Sequence, residues 1–256
     1  MILPSDVLPH SGGNPDSLFS QVADKIAVAI VSGAIAAGEL IPNEEAIFGA
    51  TTVSRSVYRE AVKFLSGKGL IEARPKSGTR AAPVSNWNLL DPDVLRWSLS
   101  AGPDEKFIRD LYELRGFIEP NVARLAALRR TDEQADALRA AYEGMASTPP
   151  ATPENIRFDL RFHEILMESC GNDALQRLKG VVMTTLMWAM GLQVGKKAVE
   201  YEPALGDHKR VMEAVANREG ERAHAVMSVL VHDALYETLE KFRARKGQMA
   251  FRAAAE

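Results

Sequence analysis

Apolar positions along this chain recur mainly at helical spacing. In "NPDSLFSQVADKIAVAIVSG", Leu18, Val22, Ile26 and Ile30 repeat every four residues. That spacing predicts a helix that Asp16 or Ser17 can cap and Gly33 ends. "AIAAGELIPN" follows as a turn-rich connector, and "EEAIFGA" as a short helix. In "TTVSRSVYREAVKFLSGKGL", Ser54 is an N-cap, Val57, Ala61, Phe64 and Leu65 make the buried stripe, and "SGKG" stops the helix. The period then changes. "LIEARPKSGTRAAPV" reads as a two-stranded hairpin with Pro75–Gly78 in its turn. Three helices and a basic hairpin predict a winged helix-turn-helix over residues 15–83, behind a mobile Pro/Gly/Ser-rich arm at 1–14.

Residues 84–104 read as a linker with a short helix, whose Trp87 and Trp97 are expected to dock on a neighbouring element. Beyond it the pattern is helical throughout, over roughly 105–129, 132–147, 154–170, 173–197, 201–217 and 220–244. The expected fold is therefore mainly α. A winged head precedes an all-α bundle of about six helices at 105–245 and a tail at 246–256. The longest apolar run, "VVMTTLMWAMGLQV" at 181–194, falls short of the ~20 residues a membrane span needs and predicts a buried helix.

Composition adds little until charge is read locally. The chain has 256 residues, enough for one large or two modest domains, and a net charge of −3. Its single cysteine, Cys170, cannot form an internal disulfide, which fits a reducing compartment. The first residues lack the basic start and apolar core of a signal peptide, so the expectation is a cytoplasmic protein with no membrane partner. Residues 55–80, however, carry seven bases and two acids. A basic patch on a mildly acidic chain points to a polyanion partner, although charge alone fits a solvated helix face as well.

Arg55 and Arg59 lie four apart on the N-terminal half of the third helix, the end that enters the major groove in helix-turn-helix proteins. Arginine there can bond guanine O6 and N7 together. Ser54 and Ser56 suit phosphate contacts at the helix start. In the wing, Lys76 and Arg80 flank Gly78, which allows close backbone approach. The segment "VSRSVYREAVKFLSGKGLIEARPKSGT" resembles the recognition helix and wing of the GntR family of bacterial transcription regulators. The resemblance rests on Val53-Ser54-Arg55, Arg59-Glu60-Ala61, Gly69-Leu70 and Gly78-Thr79, and it extends over 18–83. It implies double-stranded DNA with a palindromic operator as partner, bound by a homodimer. Glu45 stands where many relatives have an arginine, which implies a different operator.

The bundle resembles the ligand-binding FCD domain of the FadR-type branch of that family. "LYELRGFIEPNVARLAALR", "FDLRFHEIL" and "GDHKRVMEAVANREGERAHAVM" carry the likeness over about 105–240. "SNWNLLDPDVLRW" is similar to the linker of regulators of galactonate and related sugar-acid operons. Asp159 and His163, four apart on one helix, can reach one ion. The family pattern adds His208. Carboxylate plus imidazoles suits Zn²⁺, Ni²⁺, Mn²⁺ or Fe²⁺. The family's third histidine falls about 22 residues further on, at Leu230 here, and His232 lies about 200° further around an ideal helix. Either the last helix is shifted and His232 binds, or water or effector oxygens fill the gap.

Arg115 sits near the buried side of "YELRGFIEP". It either pairs with Glu119 or Glu113 or holds the carboxylate of a small effector, for which an aldonic acid is the candidate. These readings lead to a non-enzymatic, ligand-responsive repressor. The rivals are a metal-dependent enzyme acting on a small carboxylate and a metal-free dimeric regulator. "HEILM" starts like the zinc-protease H-E-x-x-H, but Met167 breaks the pair. His10 and His224 are expected at the surface.

Overall fold

The computed structural model describes residues 17–48, 53–74, 78–192 and 198–253. The chain divides between Pro103 and Asp104 into two compact units. The N-terminal unit holds α1 (Leu18–Val31), α2 (Glu44–Phe48), α3 (Arg55–Gly67), β1 (Ile71–Arg74), β2 (Gly78–Ala81), a 3-10 turn at Val84–Asn86 and α4 (Pro92–Ser100). Ser17 caps α1 by accepting from Ser20 N, and Ser54 caps α3 by accepting from Val57 N. Val22, Ala23, Ile26, Ala27 and Ile30 of α1 face Ala61 and Leu65 of α3 across the core. Leu18, the first residue of the expected apolar stripe, is exposed instead.

Strands β1 and β2 pair antiparallel, with Ile71 opposite Ala81 and Arg74 opposite Gly78. The residues of the hairpin turn, including Pro75 and Lys76, lie outside the described residues, as do the arm at 1–14 and His10. Leu40 bridges Arg80, so the connector after α1 lies along the hairpin's outer edge. Gly69 has φ +81°, and a Cβ there would lie 2.0 Å from the Asn86 carbonyl oxygen. No side chain fits that crossing, which accounts for the Gly-Leu pair at 69–70.

The linker docks as its two tryptophans suggest. Its helix α4 packs on α1, Val94 and Trp97 join the core of the N-terminal unit, and the Trp97 indole donates to Asp24 Oδ1 at 2.6 Å. Trp87 is half-buried and donates to the Ala82 carbonyl.

The second unit is helical among the described residues. It comprises α5 (Glu105–Arg129), α6 (Asp132–Ser147), α7 (Pro153–Ser169), α8 (Asp173–Gln176), α9 (Lys179–Leu192), α10 (Ala198–Ala216) and α11 (Gly220–Ala253). Two expectations need correcting. The helix read over 173–197 is broken, because Leu178 N bonds the Leu175 carbonyl and closes α8 as a tight turn. The tail read at 246–256 is helical as far as Ala253, since "KGQMAFRA" is mostly good helix formers and the single Gly247 does not stop it. Long helix α5 packs on α11, α6 on α7, and α10 on α11. Their shared core, built around Ile108, Val122, Phe162, Leu166, Val211 and Met227, surrounds the polar cluster described next. No helix among the described residues is long and apolar enough to cross a membrane.

Candidate functional site

On the N-terminal unit, Arg55, Ser56 and Arg59 are exposed on the first turns of α3. Arg55 is 92% exposed, with only a loose 3.4 Å contact to Glu44. Ser54 is also exposed, but its hydroxyl is occupied by the cap bond. In the wing, Gly78 is exposed with φ +80°, and Thr79 beside it is half-buried. Arg80 turns inward: its Nη1 donates to the Gly38 carbonyl at 2.7 Å, which ties the connector to β2. Half-buried Tyr58 of α3 donates to the Pro42 carbonyl at 2.6 Å and ties α3 to the segment before α2.

The second unit gathers ionisable side chains from three helices around one cavity of about 90 Å³. Asp159 and His163 come from α7, His208 from α10 and Arg115 from α5, and all four are buried. Asp159 Oδ1 lies 3.5 Å from His163 Nε2 and 3.6 Å from His208 Nε2. One donor atom from each of the three falls within 4.8 Å of the others. The sequence puts them there simply. Thr152 and Pro153 start α7 in a register that turns positions 159, 162, 163 and 166 inward, so the polar pair shares a face with Phe162 and Leu166.

The second nitrogen of His208 fixes its tautomer. His208 Nδ1 is 2.7 Å from the Ala204 carbonyl, which can only accept, so Nδ1 carries the hydrogen. Its Nε2 lone pair is thereby left for the centre of the cluster, the arrangement that prepares a histidine for metal. His163 Nδ1 lies 2.8 Å from Glu119 Oε2, a close contact without hydrogen-bond geometry. Phe162 sets its ring edgewise against both imidazoles, at 5.8 and 5.2 Å, and keeps that side apolar.

Arg115 is held from behind. Its Nε donates to Glu119 Oε1 at 2.5 Å, and its guanidinium lies 4.6 Å over the Tyr112 ring. Tyr112 is itself pinned to Thr238 at 2.6 Å. The terminal nitrogens Nη1 and Nη2 are buried and have no partner, and neither have Asp159 Oδ1 and His208 Nε2. Buried polar atoms are almost always paired, so four orphans around one cavity need an explanation. A cation for the acceptors and an anion for the guanidinium would supply it.

The electrostatics agree. Burial alone would raise the Glu119 carboxyl, but the Arg115 charge and His163 pull it down to about 2. Burial likewise opposes the Asp159 charge, yet His208, His163 and Arg115 hold its carboxyl below the ordinary range. Burial would lower His208, but Asp159 raises it. Both carboxylates are thus ionised at neutral pH and ready to balance positive charge.

Of the expected residues, Asp159, His163, His208 and Arg115 meet at the cavity. His232 does not. It is exposed on α11 with Nδ1 3.0 Å from Asp233, because two residues beyond the cavity-lining Leu230 carry it around to the solvent side. His224 is half-buried rather than at the surface. Glu164, the acid of the protease-like string, pairs with Arg161 and Lys179 at 2.8 Å each, away from the cavity. Sequence reasoning missed the full role of Glu119. It took Glu119 as one partner for Arg115, whereas one oxygen takes Arg115 and the other faces His163. The four-residue spacing signalled the first contact; the second depends on how α5 packs on α7, which no local pattern encodes.

Comparison with known proteins gives a consistent result. Residues 18–80 match the bacterial regulatory proteins of the gntR family, and residues 110–233 match the FCD domain. A galactonate operon transcriptional repressor of Escherichia coli is 29% identical over 79% of this chain and 88% of its own length. An E. coli HTH-type transcriptional regulator, YieP, is 35% identical over 60% of this chain and 68% of its own length. The Uxu operon transcriptional regulator of E. coli is 28% identical, with 82% of each chain covered. Among solved structures, E. coli McbR/YncC superposes with a TM-score of 0.51 at 12% identity, over 88% of this chain and 99% of that one, which concerns the fold alone.

Proposed function

Because the chain belongs to the gntR family of bacterial DNA-binding transcription regulators, we propose that it is a cytoplasmic homodimeric repressor released by a small carboxylate effector. The effector and a divalent metal bind in the second unit. In this reading residues 15–83 bind a palindromic operator, residues 105–245 sense the effector and residues 84–104 couple the two. Arg55 and Arg59 read base edges, and Ser54, Ser56, Lys76, Gly78, Thr79 and the backbone around Arg80 position the phosphates.

The observation that carries the sensing role is the set of orphaned buried atoms on one cavity: Asp159 Oδ1, His208 Nε2 and both terminal nitrogens of Arg115. Asp159, His163 and His208 would hold the metal, and an O, N, N donor set suits Zn²⁺, Ni²⁺, Mn²⁺ or Fe²⁺. The metal would supply a Lewis-acidic anchor for effector oxygens. Arg115 would orient the carboxylate through its two free nitrogens. The galactonate operon repressor among the relatives supports both the repressor sign and an aldonic acid as effector. Against an enzyme stands Glu164, which is committed to Arg161 and Lys179 and leaves the cluster without that general base. Against a metal-free bundle stand the same orphaned acceptors.

A thermal-shift screen of aldonic, uronic and short dicarboxylic acids, each with and without divalent metals, tests the proposal. A true effector raises the melting temperature by mass action, and the same compound lowers operator affinity. The proposal fails if no acid stabilises the protein under any metal condition.

A further inference from the structure

Between α3 and the hairpin of the N-terminal unit runs an open groove of about 530 Å³. One wall is α3, where Arg59, Lys63 and Ser66 share an exposed face at positions i, i+4 and i+7. The other wall is the connector before α2 together with the strands, through Ala73 of β1 and Thr79 of β2. Buried Ile41 and Ile71 lie at its floor. Two hydrogen bonds keep the groove preformed. Tyr58 ties α3 to the Pro42 carbonyl at 2.6 Å, and Arg80 ties β2 to the Gly38 carbonyl at 2.7 Å.

The lining contains two bases and no acid. Exposed lysines are common on solvated helix faces. Lys63 differs in standing over a rigid groove, one turn beyond Arg59, and it makes no ion pair among the described residues. A helix seated in the major groove is bordered on both sides by sugar-phosphate strands. With α3 so seated and the hairpin touching phosphates, the strand on the hairpin side has to pass between the two. Such a strand alternates charged phosphates with apolar deoxyribose faces. A basic rim over an apolar floor is its complement.

We propose that one sugar-phosphate strand of the bound duplex lies in this groove, with Lys63 as a positioning residue that neutralises a phosphate there. This rests on the reading of α3 as the helix in the major groove. The contact carries no sequence information; it fixes how α3 is set along the duplex before Arg55 and Arg59 read bases.

The test needs no operator, because a phosphate contact is made on any sequence. Full-length protein is titrated into a fluorescent duplex of arbitrary sequence, about two helical turns long, over a series of salt concentrations. Each phosphate neutralised adds about 0.9 to the slope of log affinity against log salt. Lys63→Gln lowers that slope by about 0.9 per bound chain and weakens binding, whereas Lys63→Arg keeps the slope. Ala73→Glu puts a carboxylate into the groove from an exposed strand position and weakens low-salt binding at least about tenfold. Lys106→Gln, at an exposed position of the second unit, leaves the slope unchanged. Melting curves confirm that each variant folds. A slope for Lys63→Gln equal to that of the parent, or unaltered binding by Ala73→Glu, overturns the groove and leaves the role of α3 standing. An equal drop for Lys106→Gln overturns it too, since net charge alone would then account for the effect. No salt-dependent binding by the parent overturns the DNA reading itself.

Discussion

Each unit of this protein buries a cluster of charges, and the two clusters are built to different ends. In the N-terminal unit, Lys68 at the end of α3 contacts Asp91 at 2.7 Å and Asp93 at 3.0 Å. Arg96 reaches Asp24 at 2.7 Å, and Trp97 donates to the same carboxylate. Opposite charges there close on each other, and among the described residues of that unit Arg96 Nε is the one buried side-chain orphan. In the second unit Arg115 and Glu119 also pair, but the pairing stops short, and four polar atoms face a cavity. A closed cluster fixes one arrangement of α1, α3 and α4. An open cluster keeps binding capacity in reserve. The distinction rests on which atoms are satisfied, since both clusters are at least partly buried and both mix acids with bases.

Substitutions can break this comparison. The largest expected effect is on the closed cluster. Lys68→Met removes the buried ammonium that Asp91 and Asp93 share and should cost about 3–5 kcal/mol in denaturant unfolding, since breaking a buried pair leaves its acids short of countercharge. A loss below about 1 kcal/mol would mean that the network is dispensable. In the open cluster, His163→Ala with His208→Ala should weaken Zn²⁺ binding by at least about a hundredfold. Melting of the metal-free protein should stay close to that of the parent, because the pair removes an orphan as well as a contact. A collapse of the fold would make the cluster structural.

Smaller effects follow. Arg55→Ala and Arg59→Ala should each reduce specific operator binding by about 1–3 kcal/mol, measured by fluorescence anisotropy, with no change in melting. Unaltered binding would take the recognition role away from α3. A further effect is on acid stability. The Glu119 carboxyl is depressed to about 2, against roughly 4.3 for an unfolded glutamate. Its contribution is therefore complete above the unfolded value and is lost as pH falls through the folded one. Unfolding curves of the parent should lose stability between about pH 4 and 2, and Glu119→Gln, less stable at neutral pH, should lack that part of the slope.

Much of this was legible in the chain. The caps Ser17 and Ser54 and the buried stripes of α1 and α3 follow from short-range spacing, and helix geometry makes those rules local. Asp159 and His163 were visible for the same reason. His208 needed a family pattern, because only tertiary packing brings α10 to α7. What sequence could not give were the satisfied and unsatisfied atoms. Arg80 looked like a free wing arginine and is spent on the Gly38 carbonyl. The linker at 84–104 docks through Trp87 and Trp97 as expected, but the ion pairs of Asp91, Asp93 and Arg96 that lock it to α1 and α3 have partners more than twenty residues away, which no local spacing signals. The break at Leu178 was hidden because residues 173–197 contain no proline, and the glycine nearest the break, Gly180, falls inside α9.

The central claim is that the open cluster is a metal site completed by Asp159, His163 and His208. Equilibrium dialysis of purified protein against Zn²⁺, followed by elemental analysis, tests it most directly. The account predicts close to one ion per chain in the parent in the presence of acetate, and a negligible amount in the His163→Ala, His208→Ala variant. Equal metal content in the two proteins would contradict it.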